Sequence, residues 1–349
     1  MRSTAAIVAL AVIACGSSKK GPDPGELAGQ ELAAGVTFAR SKAAELSEPY
    51  RCAAWVSDEQ AEPISIAAGK TNLEIEGRRA ALRIEGQRSG AAIAVAFVAD
   101  ARGAQPPTIK RLHDLARELD ESGVHLVVSL GGMGTTQDEL SESLGALADG
   151  AFVVIAIPGD RESIPAHRAA IAELSERGAG IVDGSLVRLI ANDHIAIGTF
   201  PGVEHGEQLV AQSDGCQHFP EDAASLAKRM SEHSGVRVWA SYAPPRQSGE
   251  SGSDLTLSGV HVGETMLVDS IARAGAHLVV HGLVDESSWV SARGDLRVSD
   301  GARVIVGAGS VDTLPLRQPR KPAFGGSALV ASVSPRRVKW RRIVFEIDN

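Results

Sequence analysis

Basic residues are in short supply: 35 Lys and Arg against 43 Asp and Glu leave a net charge of −8 and a pI near 5.7. No basic stripe alternates with aromatics, so nucleic acid is excluded as the expected partner. Apolar length is missing at the start, where the run Ala5–Ala14 is too short to span a bilayer as a helix. The glycine-rich stretch "LGGMGTTQDE" lacks the Gly-Lys-Ser/Thr ending of a phosphate loop and reads as turn geometry. No helix follows "VGAGSVD", which argues against a dinucleotide loop. Apart from His281, the histidines are scattered without an i, i+4 pair of metal-binding type. No Ser-His-Asp assembly is recognisable by spacing, since such triads form in space. Cysteine is scarce as well, at three.

The beginning of the chain reads as a targeting segment: a short basic n-region at Met1 and Arg2, the apolar run, then "VIACGSSKK". This resembles the lipobox of bacterial lipoproteins, with Ala14 preceding a lipidated cysteine. The resemblance implies a signal peptide over 1–14, lipidation at Cys15 and a membrane held through that anchor. By the same resemblance Gly16 implies sorting to the outer membrane of a bacterial cell envelope, facing the periplasm or the cell surface. Residues 15–30 are polar and rich in Gly, Pro and Ser, and read as a flexible tether. With Cys15 carrying lipid, Cys52 and Cys216 remain, either as a bridge permitted by an oxidising envelope or as two buried thiols.

Residues 31–89 read as an N-terminal extension. "GQELAAGVTFARSKAAELS" has helical composition, and "TNLEIEGRRAALRIEG" alternates on both sides of Gly77 and Arg78, which predicts a hairpin. A different rhythm fills 90–349. Apolar strands "AAIAVAFVAD", "GVHLVVSLGG" and "AFVVIAIPGD" alternate with helical stretches, and Thr136 to Glu139 has capping-box spacing. Strands buried on both faces between amphipathic helices predict an α/β domain. "VRVWASY", "AHLVVHG" and "ARVIVGAG" are expected to continue the same sheet. "SALVASVSPRRVKWRRIVFEI" predicts a closing antiparallel hairpin, its basic cluster on the exposed face of an edge strand.

The strand ends carry a resemblance to the calcineurin-like metallophosphoesterases over roughly residues 90–345. That family places Asp-x-His after its first strand, Gly-Asp after the second and Gly-Asn-His-Asp/Glu after the third. A later His commonly precedes a Pro pair, and Gly-His-x-His follows another strand. The corresponding residues here are Asp100-Ala101-Arg102, Gly131-Gly132, Gly159-Asp160-Arg161-Glu162, Tyr242 before Pro244 and Pro245, and Gly282-Leu283-Val284-Asp285. The resemblance implies a metallophosphoesterase-like sandwich of mixed β-sheets flanked by helices, with degenerate metal motifs.

A two-metal site needs a bridging acid and several carboxylate and imidazole ligands. Gly132 stands where the bridging acid belongs, and Arg102 and Arg161 stand where histidines would be. A guanidinium is always protonated and donates no lone pair to a metal. The expectation is therefore a membrane-tethered pseudoenzyme acting as a binding or scaffold module, without a cofactor, in which Arg102 and Arg161 pair with Asp100, Asp160 and Asp285. Its partner would be an envelope protein or an anionic ligand gripped by the two arginines. The alternative is a phosphoester hydrolase using Mn, Fe or Zn on Asp100, Asp160, Glu162 and Asp285. His281, one residue from the family's ligand position, reads as a hydrogen-bonded histidine at a strand end.

Overall fold

Runs of aliphatic side chains buried on both faces make the central strands. In β4 (Ile93–Val98), β5 (Leu126–Ser129) and β6 (Val153–Ala156), only Ala94 is not fully buried. That is the pattern of parallel strands covered on both sides. The helices between them have local reasons to begin where they do. Pro106 and Pro107 open α1 (Pro106–Glu121), which buries Leu112, Leu115 and Leu119 on one face. The expected Thr136–Glu139 capping box opens α2 (Gln137–Leu147). Ser163 caps α3 (Ile164–Glu176), accepting from the Ala166 N–H at 3.2 Å.

This computed structural model describes residues 51–54, 63–211, 214–249, 252–285, 293–314 and 325–346. Cys15, the tether and the helix expected near residues 29–47 lie outside them. The chain divides into the units Met1–Glu48 and Pro49–Asn349, and everything that follows concerns the second.

Two mixed sheets lie at its centre. One has the order β12-β15-β14-β4-β5-β6-β7, adding β7 (Ile181–Asp183), β12 (Arg293–Arg297), β14 (Ser327–Ser334) and β15 (Arg337–Val344). It is parallel from β4 to β7 and antiparallel on the other side of β4. The second sheet has the order β1-β2-β3-β8-β9-β10-β11-β13. Its strands are β1 (Ile64–Ala68), β2 (Thr71–Glu76), β3 (Arg79–Ile84), β8 (Leu189–Ala191), β9 (Ile195–Phe200), β10 (Val236–Ser241), β11 (Leu278–His281) and β13 (Val304–Gly307). The hairpin turning at Gly77 and Arg78 is β2–β3. Helices α4 (Pro220–Ser231) and α5 (Thr265–Ala274) pack on each other. Phe97, Leu130, Ile155, Trp239 and Val280 belong to the main core, and a second cluster includes Leu112, Leu115 and Leu144 from the first two helices.

Two expectations need correction. The strands β10, β11 and β13 do not continue the sheet of β4; they form the parallel part of the other sheet. Continuous apolar runs report burial on both faces and say nothing about which sheet a strand joins. The basic strand β15 is not an edge, because β12 pairs outside it with Asp295 opposite Lys339. The polar sequence "RGDLR" gives β12 no apolar alternation to detect.

Parallel register aligns the carboxyl ends of the strands in two rows. Val98, Ser129 and Ala156 end one, and Phe200, Ser241, His281 and Gly307 end the other. Cys52 and Cys216 are joined as a disulfide with their Cα atoms 5.4 Å apart. Beside it, Arg51 grips Asp222 at 2.6 Å, and buried Arg188 donates to the carbonyls of Ala53 (2.6 Å) and Thr199 (2.7 Å).

Candidate functional site

The loops leaving those strand ends are stitched together by their backbones. Asp100 N–H donates to the Gly131 carbonyl at 2.9 Å, Arg102 N–H to Gly132 at 2.8 Å and Gly103 N–H to Met133 at 3.1 Å. From the end of the other sheet, Ser310 Oγ and the Asp312 N–H donate to the Asp100 carbonyl at 2.7 and 3.2 Å. Among the described residues, the non-glycine positions with positive φ are Asp100 (57°), Arg102 (59°) and Leu283 (62°). All three lie in these loops. An aspartate tolerates the left-handed region, whereas Arg and Leu are strained there, and such strain concentrates at functional or once-functional sites.

Tyr242 fills the centre. Its ring is 1% exposed and lies against three glycines from three different strand ends. A Cβ on Gly159 would come within 2.6 Å of the ring, on Gly131 within 2.9 Å and on Gly282 within 3.2 Å. The hydroxyl donates to Asp160 Oδ1 at 2.5 Å. Burial, then the nearby Asp100 and Asp160, pushes the phenol well above its ordinary range, so it stays a protonated donor.

Acids surround this ring. Asp100 is 3% exposed, and burial followed by the charges of Asp285 and Asp160 raises its carboxyl well above the usual range. Burial also raises Asp160, outweighing the Tyr242 hydrogen bond and the Arg161 charge, which pull the other way. Glu162 has both carboxylate oxygens occupied, one by the Met133 N–H at 2.6 Å and one by the Gly159 N–H at 2.8 Å. Burial nevertheless outweighs those bonds and raises it. Its role here is to pin two loops. Asp312 also lies in the cluster, close enough for its charge to act on Arg102.

The two arginines behave differently. Arg102 pairs with Asp285, as expected, and although burial works against its charge, Asp285 and Asp100 hold it more firmly protonated. Arg161 corrects the expectation: among the described residues its half-buried guanidinium makes no hydrogen bond or ion pair, acting on Asp160 and Glu139 only through space. At Gly132 (φ 72°), a Cβ would lie 2.1 Å from Asp100 Oδ1, so a side chain there would require the Asp100 carboxylate to shift and would sit in a strained backbone conformation.

Near these loops the hydrogen-bonded histidine expected at a strand end is His281, whereas the contact of His218 with Glu264 leaves no pattern in the sequence. His281 Nδ1 hydrogen-bonds the Gly282 carbonyl at 2.9 Å and Nε2 meets Ser253 Oγ at 2.8 Å, while burial drives its pKa down to about 4. It is neutral at ordinary pH. His218 donates to the Pro201 carbonyl and to Glu264 Oε2, both at 2.7 Å. Burial opposes its charge, yet Glu264 outweighs burial and the imidazolium is favoured. Asp312, at the end of "VGAGSVD", follows a glycine turn that carries no site pattern of its own.

Two mixed sheets flanked by helices, with acids and glycines at the carboxyl ends of their parallel strands, make an α/β sandwich. No protein-family model matches the chain, and no curated protein matches it. Among solved structures, one aligns with a TM-score of 0.50 at 11% identity, covering 74% of this chain and 100% of its own. A dimetal phosphatase from Danio rerio aligns with a TM-score of 0.45 at 10% identity, covering 74% of this chain and all of its own. The phosphopantetheinyl hydrolase of Mycobacterium tuberculosis aligns at 0.40 and 14%, covering 73% and 96%. At such identities the likeness is one of fold.

Proposed function

We propose that the chain is a non-catalytic protein of metallophosphoesterase fold, a binding or scaffold module anchored in the bacterial cell envelope. The observation that carries this reading is Tyr242: an aromatic ring occupies the glycine cradle between the loops and its hydroxyl holds Asp160. The donor set fits two cations poorly. Asp285 is committed to the Arg102 guanidinium, both Glu162 carboxylate oxygens accept from backbone N–H groups, and Gly132 supplies no bridging carboxylate. Among the described residues no three His, Cys, Asp or Glu side chains are grouped to hold a metal ion. The lipid anchor at Cys15 and placement in the outer membrane rest on the sequence. The partner would be an envelope protein or an anionic ligand reached through Arg161, which unlike Arg102 makes no ion pair among the described residues.

One observation favours a second reading, a phosphoester hydrolase with a single divalent ion such as Mn, Fe or Zn. Asp100 Oδ2 is buried and makes no hydrogen bond, as a metal ligand would. Counting metal per chain separates the two. After loading with excess manganese or zinc and desalting, the non-catalytic reading expects no retained ion. One retained ion supports the second reading, and two would overturn the first entirely.

A further inference from the structure

The outer face of β12 and β15 is basic in a chain that is acidic as a whole. Alternation along each strand puts Arg293, Asp295 and Arg297 on one side of β12, and Arg337, Lys339 and Arg341 on the same side of β15. All six are exposed. Register sets Arg293 directly opposite Arg341 and Arg297 directly opposite Arg337. Like charges directly opposite each other destabilise a sheet. One acid on the face, Asp295, ion-pairs with Arg337, and Glu118 at the rim lies 3.9 Å from Arg341. Arg293, Arg297 and Lys339 make no ion pair among the described residues. A sheet that tolerates such crowding is stabilised when an external anion covers it.

The form of the patch points to the kind of anion. Strand geometry spaces the backbone positions of these cations about 4.8 Å apart across strands and about 6.7 Å along them, so their anchor points are spread over the face. A layer of separate phosphates meets them all, whereas a single small anion meets one or two. Between them lies a concavity of about 600 Å³ lined by Val330, Trp340, Ser332 and the residues of the basic row. Val330 and the alkyl stems of Arg and Lys give it an apolar floor under a charged rim, while Trp340 turns to the opposite face over Gly294. That combination suits a headgroup with its glycerol and first acyl carbons.

We propose that the outer face of β12, β15 and β14 docks on an anionic lipid surface, with Arg293, Arg297, Lys339 and Arg341 contacting the lipid phosphates. None of these residues belongs to the candidate site, and the proposal requires no lipid on Cys15. The test is flotation of the full chain with vesicles of phosphatidylcholine alone or mixed with phosphatidylglycerol. Any apolar insertion of the N-terminal segment contributes to both, so the ratio of the two partition coefficients reads the basic face. The ratio should favour anionic vesicles by at least about tenfold at low salt and collapse as salt is raised. Arg293→Ser, Lys339→Ser and Arg341→Ser combined should bring it close to one, while Arg293→Lys with Arg341→Lys should preserve it and show that charge, not folding, is read. No preference in the wild type, or the same preference in the triple serine variant, would overturn the proposal. Soluble poly-glutamate competing as well as anionic vesicles would assign the face to an acidic protein and overturn it too.

Discussion

Removing one oxygen from Tyr242 leaves its ring in the glycine cradle and takes away the donor that Asp160 depends on. Tyr242→Phe should cost about 1.5–3 kcal/mol, the range for a hydrogen bond to a charged group, read as a shift in the urea midpoint at unchanged slope. Asp100 should respond in the opposite sense. Its folded-state pKa lies above the usual carboxyl value, so its contribution is complete at acid pH and is lost as pH rises through the folded value. Asn keeps the shape and tolerates the positive φ of this position. Asp100→Asn should therefore stabilise the protein by about 1 kcal/mol or more at pH 8 and by less at pH 4, measured by thermal melts at both. Asp100, Asp160 and Asp285 were legible one at a time because each follows an apolar strand. That Tyr242 touches three glycines from three separate strand ends was not, since it is a contact and leaves no local pattern.

Loops carry the next consequences. His218 and Glu264 tie the segment after β9 to the segment before α5 through a buried ion pair. The folded-state pKa of His218 is raised above 6.5, so its stabilisation is complete below that value and fades as pH rises through the folded value. Glu264→Gln should cost about 3 kcal/mol at pH 6 and distinctly less at pH 9, and a double-mutant cycle with His218→Gln would isolate the pair. Strands and helices after residue 90 were readable because long apolar runs and a capping box announce them. The three-residue β7 and β8 are too short to show a period, and β12 is too polar. The sheet to which each strand belongs is decided by side-chain fit between layers, which is why β10, β11 and β13 were placed in the wrong one.

At the scale of the molecule, the bond between Cys52 and Cys216 closes a loop with a sequence separation of 164 residues. Chain-entropy arguments give such a closure up to about 5 kcal/mol. Reduction should lower the unfolding midpoint in proportion, and Cys52→Ser with Cys216→Ser should reproduce the loss without reductant. The sequence offered this pair by subtraction alone; its geometry became visible only when Arg51, Asp222 and Arg188 brought the short stretch before β1 back to α4 and β9. The same bond also determines how the protein carries mechanical load. Tension applied ahead of Arg51 passes at Cys52 straight to Cys216 and onward through α4, so the enclosed strands β1 to β9 bear none of it. Under a pull from the N-terminal end, the hairpin and both strand ends that carry Asp100 and Asp160 are sheltered in slack chain, and reduction would place them in series with the force.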